Sequence, residues 1–460
     1  LFEKEDVLDS VNKAKEYLLL QNIDNNTLKD IIVSTLIKKS ETISKDVVTF
    51  SSDEYNATDR KIDKILTSKT FGIPLMILLL GIIFWITIAG ANVPSDILAS
   101  GLFWIQDRLT EFFVFLGTPP LVEGILVQGI YRTLAWVISV MLPPMAIFFP
   151  LFTLLEDLGY LPRVAFNLDK YFKKACACGK QALSMCMGFG CNAAGIVGCR
   201  IIDSPRERLI AIITNNFVPC NGRFPTLIAI ITMFFASSFV GPFKSLFSAI
   251  ILTCVILLGV FMTFLISKLL SKTILKGLPT SFTLELPPYR KPQVCKIIVR
   301  SIFDRTLFVL GRAIMVAAPA GLVIWIMANI NIESYSILTH CANFLNPFAH
   351  LIGLDGYILM AFILGFPANE IVVPIIIMSY MSTGSMVELE NTELYNLLIQ
   401  HGWTWLTAIN VMLFSLMHWP CSTTCLTIKK ETQSLKWTAV SFLIPTACGI
   451  VICFAFTTIV

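Results

Sequence analysis

Gly188-Phe189-Gly190-Cys191-Asn192 and, further on, Val218-Pro219-Cys220-Asn221-Gly222-Arg223 decide how this chain is read. Both phrases lie within apolar stretches long enough to span a bilayer, yet both consist of residues that end helices or carry polar groups. Irregular backbone at membrane depth persists only where it lines a cavity or is buried in protein, so these phrases predict a polar path through the membrane. The competing reading, in which Gly and Pro only allow close helix packing, does not account for the Asn and Cys beside them.

The surrounding composition agrees. Of 460 residues, 55% are hydrophobic and 14% charged, with a mean hydropathy of +0.74, which excludes a soluble globule. The formal net charge of +4 is small, and nothing in it points to nucleic acid. Most of the thirteen cysteines lie in apolar runs, where they serve as small hydrophobes rather than a disulfide framework. The chain opens on Leu1, so a preceding part is expected.

Residues 1–69 alternate charged clusters with short apolar faces (Val7, Val11, Leu18; Leu28, Ile31, Ile32) and read as cytoplasmic helices. The first span is placed at about Phe71 to Gly90, after Arg60, Lys61, Lys64 and Lys69, whose bias puts its start inside. Residues 91–124 are then outside, with an amphipathic piece (Phe103, Trp104, Leu109, Phe112, Phe113) at the interface. A second span, about Ile125 to Leu155, is expected to kink or break at Pro143-Pro144. Ala182 to Val197 is flanked by Lys180 and Arg200, so it reads as re-entrant from the inside. Spans follow at about Leu209 to Phe235 and Leu246 to Leu270, turning at Gly241-Pro242. The basic loop 271–303, with Pro287-Pro288, Arg290 and Lys291, is cytoplasmic and partly extended. Leu307 to Ala328 crosses outward and residues 329–353 are short and outside. Tyr357 to Met381 is re-entrant from the outside, with Glu388, Glu390 and Glu393 following. Spans at about Trp403 to Ile428, ending on Lys429 and Lys430, and Trp437 to Phe456 complete seven crossings and two re-entrant segments.

Two halves repeat the same phrases. Arg132-Thr133-Leu134 answers Arg305-Thr306-Leu307, Gly188-Phe189-x-x-Asn192 answers Gly365-Phe366-x-x-Asn369, and Pro219-Cys220 with Thr226 answers Pro420-Cys421 with Thr427. The charge reading gives the halves opposite orientation. The fold class is therefore an all-α polytopic membrane protein with two inverted repeats, each containing a re-entrant or interrupted helix, the plan by which transporters build a site at the midplane.

The candidate site follows. His418, Cys421 and Cys425 project to one face if the segment is helical, and thiolate with imidazole suits a borderline transition metal. A core histidine beside two packing cysteines is the alternative. By the repeat, Cys220 faces Cys421, with Cys191 beside them, whereas Cys186 and Cys199 are structural and Met185 and Met187 pack. Glu370 is a carboxylate in an apolar run and a functional candidate by default. Asn192 and Asn369 either offer carbonyl oxygens to an ion or cap broken helices. Glu156-Asp157 either collects a cation at the cytoplasmic end of its span or pairs with Arg163. Arg206, Glu207 and Arg208 form an anchoring cluster. Arg223 either neutralises Glu370 or repels cations.

Taken together, Leu154-Leu155-Glu156-Asp157-Leu158-Gly159-Tyr160-Leu161-Pro162-Arg163, Gly188 to Asn192, Arg206-Glu207-Arg208-Leu209, Pro219 to Pro225, and Pro420-Cys421-Ser422-Thr423-Thr424 with Lys430-Glu431-Thr432 resemble the membrane part of the FeoB-type bacterial ferrous iron transporters. The resemblance implies two gate regions (about 125–236 and 304–428) within a membrane domain 70–460, and import of Fe2+ as substrate across the cytoplasmic (inner) membrane. It also implies GTP bound only by an N-terminal GTPase domain outside this chain, to which residues 1–69 form the helical linker. Membrane lipid, that GTPase domain, a small FeoA-like protein and a second copy of the chain are the partners it suggests. Two departures stand out. Ala193-Ala194-Gly195 replaces the proline that usually follows the first Cys-Asn, predicting a milder helix break, and Cys425 adds a thiol. Manganese or another divalent metal, and a nucleoside or other organic solute, are the alternative cargoes; no metalloprotease or nucleophile-elbow motif supports an enzyme.

Overall fold

The computed structural model describes residues 5–20, 25–48, 57–68, 70–175, 177–235, 242–276, 288–289, 292–332, 335–382, 384 and 391–460. Lys69, Gly241, Pro287, Arg290, Lys291, Glu388 and Glu390, and with them the outward turn and most of the extended loop, lie outside the described residues.

Three N-terminal helices, α1 (Glu5–Leu20), α2 (Asn25–Val47) and α3 (Ala57–Leu66), precede the apolar part of the chain. Helix α4 (Gly72–Phe115) then corrects the first expectation: its 44 residues run without interruption through Gly90 and Pro94. At 1.5 Å per residue it is about 66 Å long, twice the hydrocarbon thickness, so residues 91–115 continue the same helix past one bilayer crossing rather than form a separate helix. After the short α5 (Pro120–Glu123), a π-helical stretch Gly124–Tyr131 leads into α6 (Arg132–Asp157). The break expected at Pro143-Pro144 is absent, because α6 continues through Pro143, Pro144 and Pro150. In a bilayer, neighbouring helices and local adjustment take up the backbone groups that proline frees, so the helix need not end there.

The interruptions fall elsewhere. Helices α7 (Tyr160–Lys174), α8 (Gln181–Gly190) and α9 (Asn192–Gly198) follow, with α8 and α9 parted by the single extended residue Cys191. The third span divides into α10 (Pro205–Thr214) and α11 (Phe224–Ile230) around the irregular Val218-Pro219-Cys220, and α12 (Pro242–Lys272) returns. The second half opens with α13 (Val294–Arg300), a π-helical turn Ser301–Thr306 and α14 (Leu307–Asn329). Residues 329–353 are more ordered than a short loop: a two-residue hairpin, β1 (Asn331–Ile332) with β2 (Tyr335–Ser336), leads to α15 (Ile337–Leu351). Helix α15 meets α16 (Gly356–Leu364) at 109°; the chain then breaks over residues 365–368 before a 3-10 turn Asn369–Ile371 and α17 (Val372–Met381). Last come α18 (Asn391–Gln400), α19 (Trp405–Met417), α20 (Ser422–Thr432) and α21 (Leu435–Ile459).

Among the described residues seven helical stretches are long and apolar enough to cross a membrane, and the bent pair α15–α16 passes the same test as an eighth. The repeat is visible in backbone geometry. A π-helical stretch precedes Arg132-Thr133-Leu134, and another, Ser301–Thr306, takes in Arg305-Thr306 and ends before Leu307. Cys191 (φ −157°, ψ 126°) and its counterpart Ala368 (φ −151°, ψ 115°) share one extended conformation, as do Cys220 (−85°, 169°) and Cys421 (−63°, 161°). Helices α6 and α14 are the second and fifth candidate spans in chain order. Two candidate spans lie between them, and this even number gives α6 and α14 opposite directions. They also meet: a Cβ on Gly321 of α14 would press on the Gly129 carbonyl oxygen and the Thr133 hydroxyl at 2.5 and 2.6 Å, so glycine sets this approach.

The N-terminal helices attach to this body through a buried charge. Gly159, in the left-handed region at φ 80°, turns the chain into α7, whose Arg163 is 1% exposed. Arg163 pairs with Asp63 of α3: its Nε donates to Asp63 Oδ1 at 2.9 Å and its Nη1 to the Gly159 carbonyl oxygen at 2.8 Å. Tyr289 donates its hydroxyl to the same Asp63 oxygen at 2.6 Å and lies 4.1 Å beneath the guanidinium. Burial alone raises the Asp63 carboxyl, but hydrogen bonds from Arg163 and Tyr289 outweigh it and hold the group below the usual carboxylate range. Because the folded-state value is depressed, this link stabilises the fold above the unfolded value of about 3.9 and is lost as pH falls through the lower, folded one. Asp63→Asn leaves the Arg163 charge buried without its counter-ion, at a cost on the order of 2 kcal/mol. Limited proteolysis at neutral pH is expected to cut between α3 and α4 faster in this variant, and the wild type to approach it only in strong acid.

Candidate metal-ion site

Four helix starts converge on one small cavity. Cys191 begins α9, Cys220 begins the 3-10 turn Asn221–Arg223 that leads into α11, Ala368 begins the turn Asn369–Ile371, and Cys421 begins α20. Cys191, Asn192, Cys220, Asn369, Glu370 and Cys421 all line this space of about 40 Å³, together with Gly222 and Thr424. In a straight helix these backbones would carry their side chains past one another. The extended residues Cys191, Cys220, Ala368 and Cys421 let the chain turn its polar phrases inward instead.

Broken helices leave carbonyl and amide groups that lipid cannot satisfy, and the chain satisfies them with its own side chains. Arg223, 1% exposed, is the centre of this. Its Nη1 donates to the carbonyl oxygens of Asn216 (2.9 Å) and Leu416 (2.7 Å), and its Nη2 to those of His418 (3.2 Å) and Trp419 (3.3 Å). Arg223 does not line the cavity; it binds the open end of α19 to the first half. Asn216 supports it with a bond from its amide nitrogen to the His418 carbonyl at 3.0 Å. Asn192 takes the capping role, its amide nitrogen donating to the Val218 and Gly188 carbonyls at 3.1 Å each. In the second half, Ser422 donates its backbone N–H to the Phe366 carbonyl at 2.9 Å.

Glu370 is 5% exposed and stands against Gly222, where any Cβ would overlap its carboxylate oxygen Oε1. Among the described residues no basic side chain pairs with it. A buried, unpaired carboxylate beside three thiols is costly unless a proton or a cation accompanies it.

The segment His418 to Cys425 corrects the sequence reading. Helix α19 ends at Met417 and α20 begins after Cys421, so His418, Cys421 and Cys425 do not share one helical face. Pro420 interrupts the ladder, and only Cys421 reaches the cavity. His418 lies behind it, packed against Phe362 at 5.1 Å and Trp419 at 5.7 Å. Its Nδ1 lies 2.9 Å from the Ser415 carbonyl oxygen and its Nε2 3.3 Å from Asn369 Oδ1, so both ring nitrogens face oxygens. Cys425 directs its thiol toward the Pro420 carbonyl at 3.7 Å. Glu156 and Asp157 are exposed at the end of α6, away from the cavity. Cys186 and Cys199 are buried in packing positions, and Arg206 anchors to the Leu275 carbonyl at 2.6 Å. The first break, without proline, spans one residue, whereas the second spans residues 365–368.

Sequence reasoning missed Met141, Met145, Ala313 and Thr423, which also line the cavity. The i, i+4 spacing of the two methionines on α6 was the available signal. At the far ends of the two gate helices, Arg200 beyond α9 clasps Glu431 of α20 with two bonds of 2.8 and 2.7 Å. Among the described residues no three His, Cys, Asp or Glu side chains stand close enough together to hold a metal.

Comparison with known proteins bears on this geometry. A family model described as "Gate: Nucleoside recognition" matches residues 138–235 and again 310–435, the two halves that converge on the cavity. A second, "Ferrous iron transport protein B C terminus", matches residues 252–305 between them. The Fe(2+) transporter FeoB of Staphylococcus aureus (strain MSSA476) is 30% identical over 428 residues, 90% of this chain. The chain belongs to the FeoB family. It spans 61% of the length of that relative. The Fe(2+) transporter FeoB of Synechocystis is 28% identical over 95% of the chain and 69% of its own length. A Porphyromonas gingivalis protein named as a fusion of Fe(2+) transport protein A with FeoB is 25% identical over 83% of the chain and 49% of its own length. No solved structure matches. The chain is thus an integral membrane protein whose relatives are transporters.

The carbonyl network makes a direct prediction. Arg223→Met strips four carbonyls of their shared donor, and thermal unfolding in detergent should show a loss of about 3–5 kcal/mol. Arg223→Lys should recover only part of it, because an ammonium lacks the planar fork that reaches several carbonyls at once.

Proposed function

We propose that this chain is the membrane pathway of a ferrous iron importer in the bacterial cytoplasmic membrane, with Fe2+ as cargo. The observation that carries the reading is one narrow cavity at the meeting of the two repeats, bordered by Cys191, Cys220, Cys421 and the unpaired Glu370. Thiolates suit a borderline divalent metal far better than sodium, potassium or magnesium, and the carboxylate supplies charge. Asn369 and Asn192 add amide groups at the cavity wall, while His418 and Cys425 support the path from behind. The ligands are not gathered in this closed state, and an entering ion draws them together by small shifts of the irregular segments.

In this reading residues 1–69 are cytoplasmic and link the membrane domain 70–460 to a GTPase domain of the same polypeptide, whose nucleotide state biases the gates. Glu156 and Asp157 mark the cytoplasmic exit. A small FeoA-like protein is a natural partner, given the fused Porphyromonas relative. A second copy of the chain and membrane lipid complete the surroundings. Manganese is the closest alternative cargo, because Glu370 and the asparagine amides are hard ligands. A nucleoside, suggested by the description of the gate model, requires a pocket of at least about 300 Å³. The cavity of about 40 Å³ speaks against it.

The test is anaerobic Fe2+ uptake into proteoliposomes by the full-length protein. Cys220→Ser and Cys421→Ser are each expected to lower uptake at least about tenfold, a loss of roughly 1.4 kcal/mol of ion stabilisation. Glu370→Gln should do the same. Undiminished transport in all three would remove the cavity from the path.

A further inference from the structure

Helix α6 brings to the cavity two residues that the thiol and carboxylate chemistry does not explain. Met141 and Met145 stand one turn apart, so both project from the same side of α6. Both border the cavity shared by Cys191, Cys220, Cys421 and Glu370, and both are buried, at 8% and 1% exposure. The counterpart of α6 in the other half is α14, which meets the same space with Ala313. Two repeats that follow one backbone plan therefore differ here: one wall carries two sulfur atoms and the other a methyl group. If filling space were the only demand, leucine or isoleucine, which dominate the remaining apolar surface, would satisfy it on either helix.

A thioether is a neutral, polarizable donor. It gains little from a hard, strongly hydrated cation such as Mg2+, Ca2+ or Mn2+, and more from a softer one such as Fe2+ or Cd2+. The carboxylate of Glu370 attracts any divalent ion, so it cannot choose among them. The choice falls to groups that replace lost water with sulfur rather than oxygen.

Resting on the reading of the cavity as a metal path, we propose that Met141 and Met145 are its selectivity residues, a thioether wall that favours ferrous iron over hard divalent ions. Neither carries charge, so their effect is on which ion passes rather than on whether ions are attracted.

The experiment compares Fe2+ and Mn2+ uptake by the full-length protein in proteoliposomes, under anaerobic conditions, for wild type, Met141→Leu, Met145→Leu and the double variant. Leucine conserves volume and apolarity, so packing changes little. The double variant is expected to lower the Fe2+ to Mn2+ uptake ratio at least about fivefold, chiefly through Fe2+, and each single variant partway. Met185→Leu is the control, because Met185 borders a different, apolar cavity, and it should keep the wild-type ratio. If the double variant does not fold, the single variants carry the test, backed by displacement of Cd2+ by Mn2+ on purified protein, where loss of a thioether makes Cd2+ easier to displace. An unchanged ratio in variants that still transport, or unchanged Cd2+ displacement, overturns the assignment. Wild-type protein that moves no divalent metal overturns the transport reading itself, a result distinguishable from the first because it appears before any methionine is altered.

Discussion

Four carbonyl oxygens at the broken end of α19 and beside Pro219 have no helical partner, and one guanidinium holds them. The rest of the site depends on that arrangement. A membrane offers no water to backbone groups released when a helix stops midway, so an interrupted helix survives only if protein replaces the missing donors. Arg223 does so for the second half from within the first. Its charge is spread over carbonyl dipoles rather than paired with a carboxylate, which leaves Glu370 without a basic neighbour.

This separation of charges shapes the cavity. Had Arg223 bonded Glu370, the site would be neutral and closed to cations. Instead the Arg223 guanidinium is held by backbone carbonyls outside the cavity lining, and the carboxylate shares the cavity with the thiols. Gly222, next to Arg223 in sequence, is small because the Glu370 carboxylate occupies the place a side chain would take. Positive and negative groups from the two halves of the chain thereby serve opposite tasks, one holding backbone and the other standing beside the thiols.

The two-fold plan adds economy and a limit. Cys191 and Ala368, and Cys220 and Cys421, share backbone conformations because each must turn a chain inward at the same depth. The side chains are not bound by the same symmetry. A thiol faces Ala368, methionines face Ala313, and Arg223 has Thr424 as its counterpart. The backbone pattern thus makes the opening, and departures from symmetry give it chemistry. At the far ends of α9 and α20, the Arg200–Glu431 clasp joins the two halves again, so movement of one gate helix is felt by the other.

Much of this was legible in the residues alone. Apolar run lengths located all seven spans, since a bilayer admits only backbones that satisfy themselves, and Gly, Pro and Asn in matched phrases located the interruptions. The meeting of Cys191, Cys220, Cys421 and Glu370 followed from the repeat. Local rules allowed a helix break at Pro143-Pro144, where the helix continues, and set an end at Gly90, where it does not stop, because packing and length rather than propensity decide helix ends inside a membrane. They also set His418 and Cys425 on a shared face that Pro420 abolishes. What only the tertiary structure decided was partnership: which carbonyls Arg223 would hold, that Asp63 would reach Arg163, and that Met141 and Met145 would border the cavity. Those contacts join residues distant in sequence, and no periodicity encodes the distance between them.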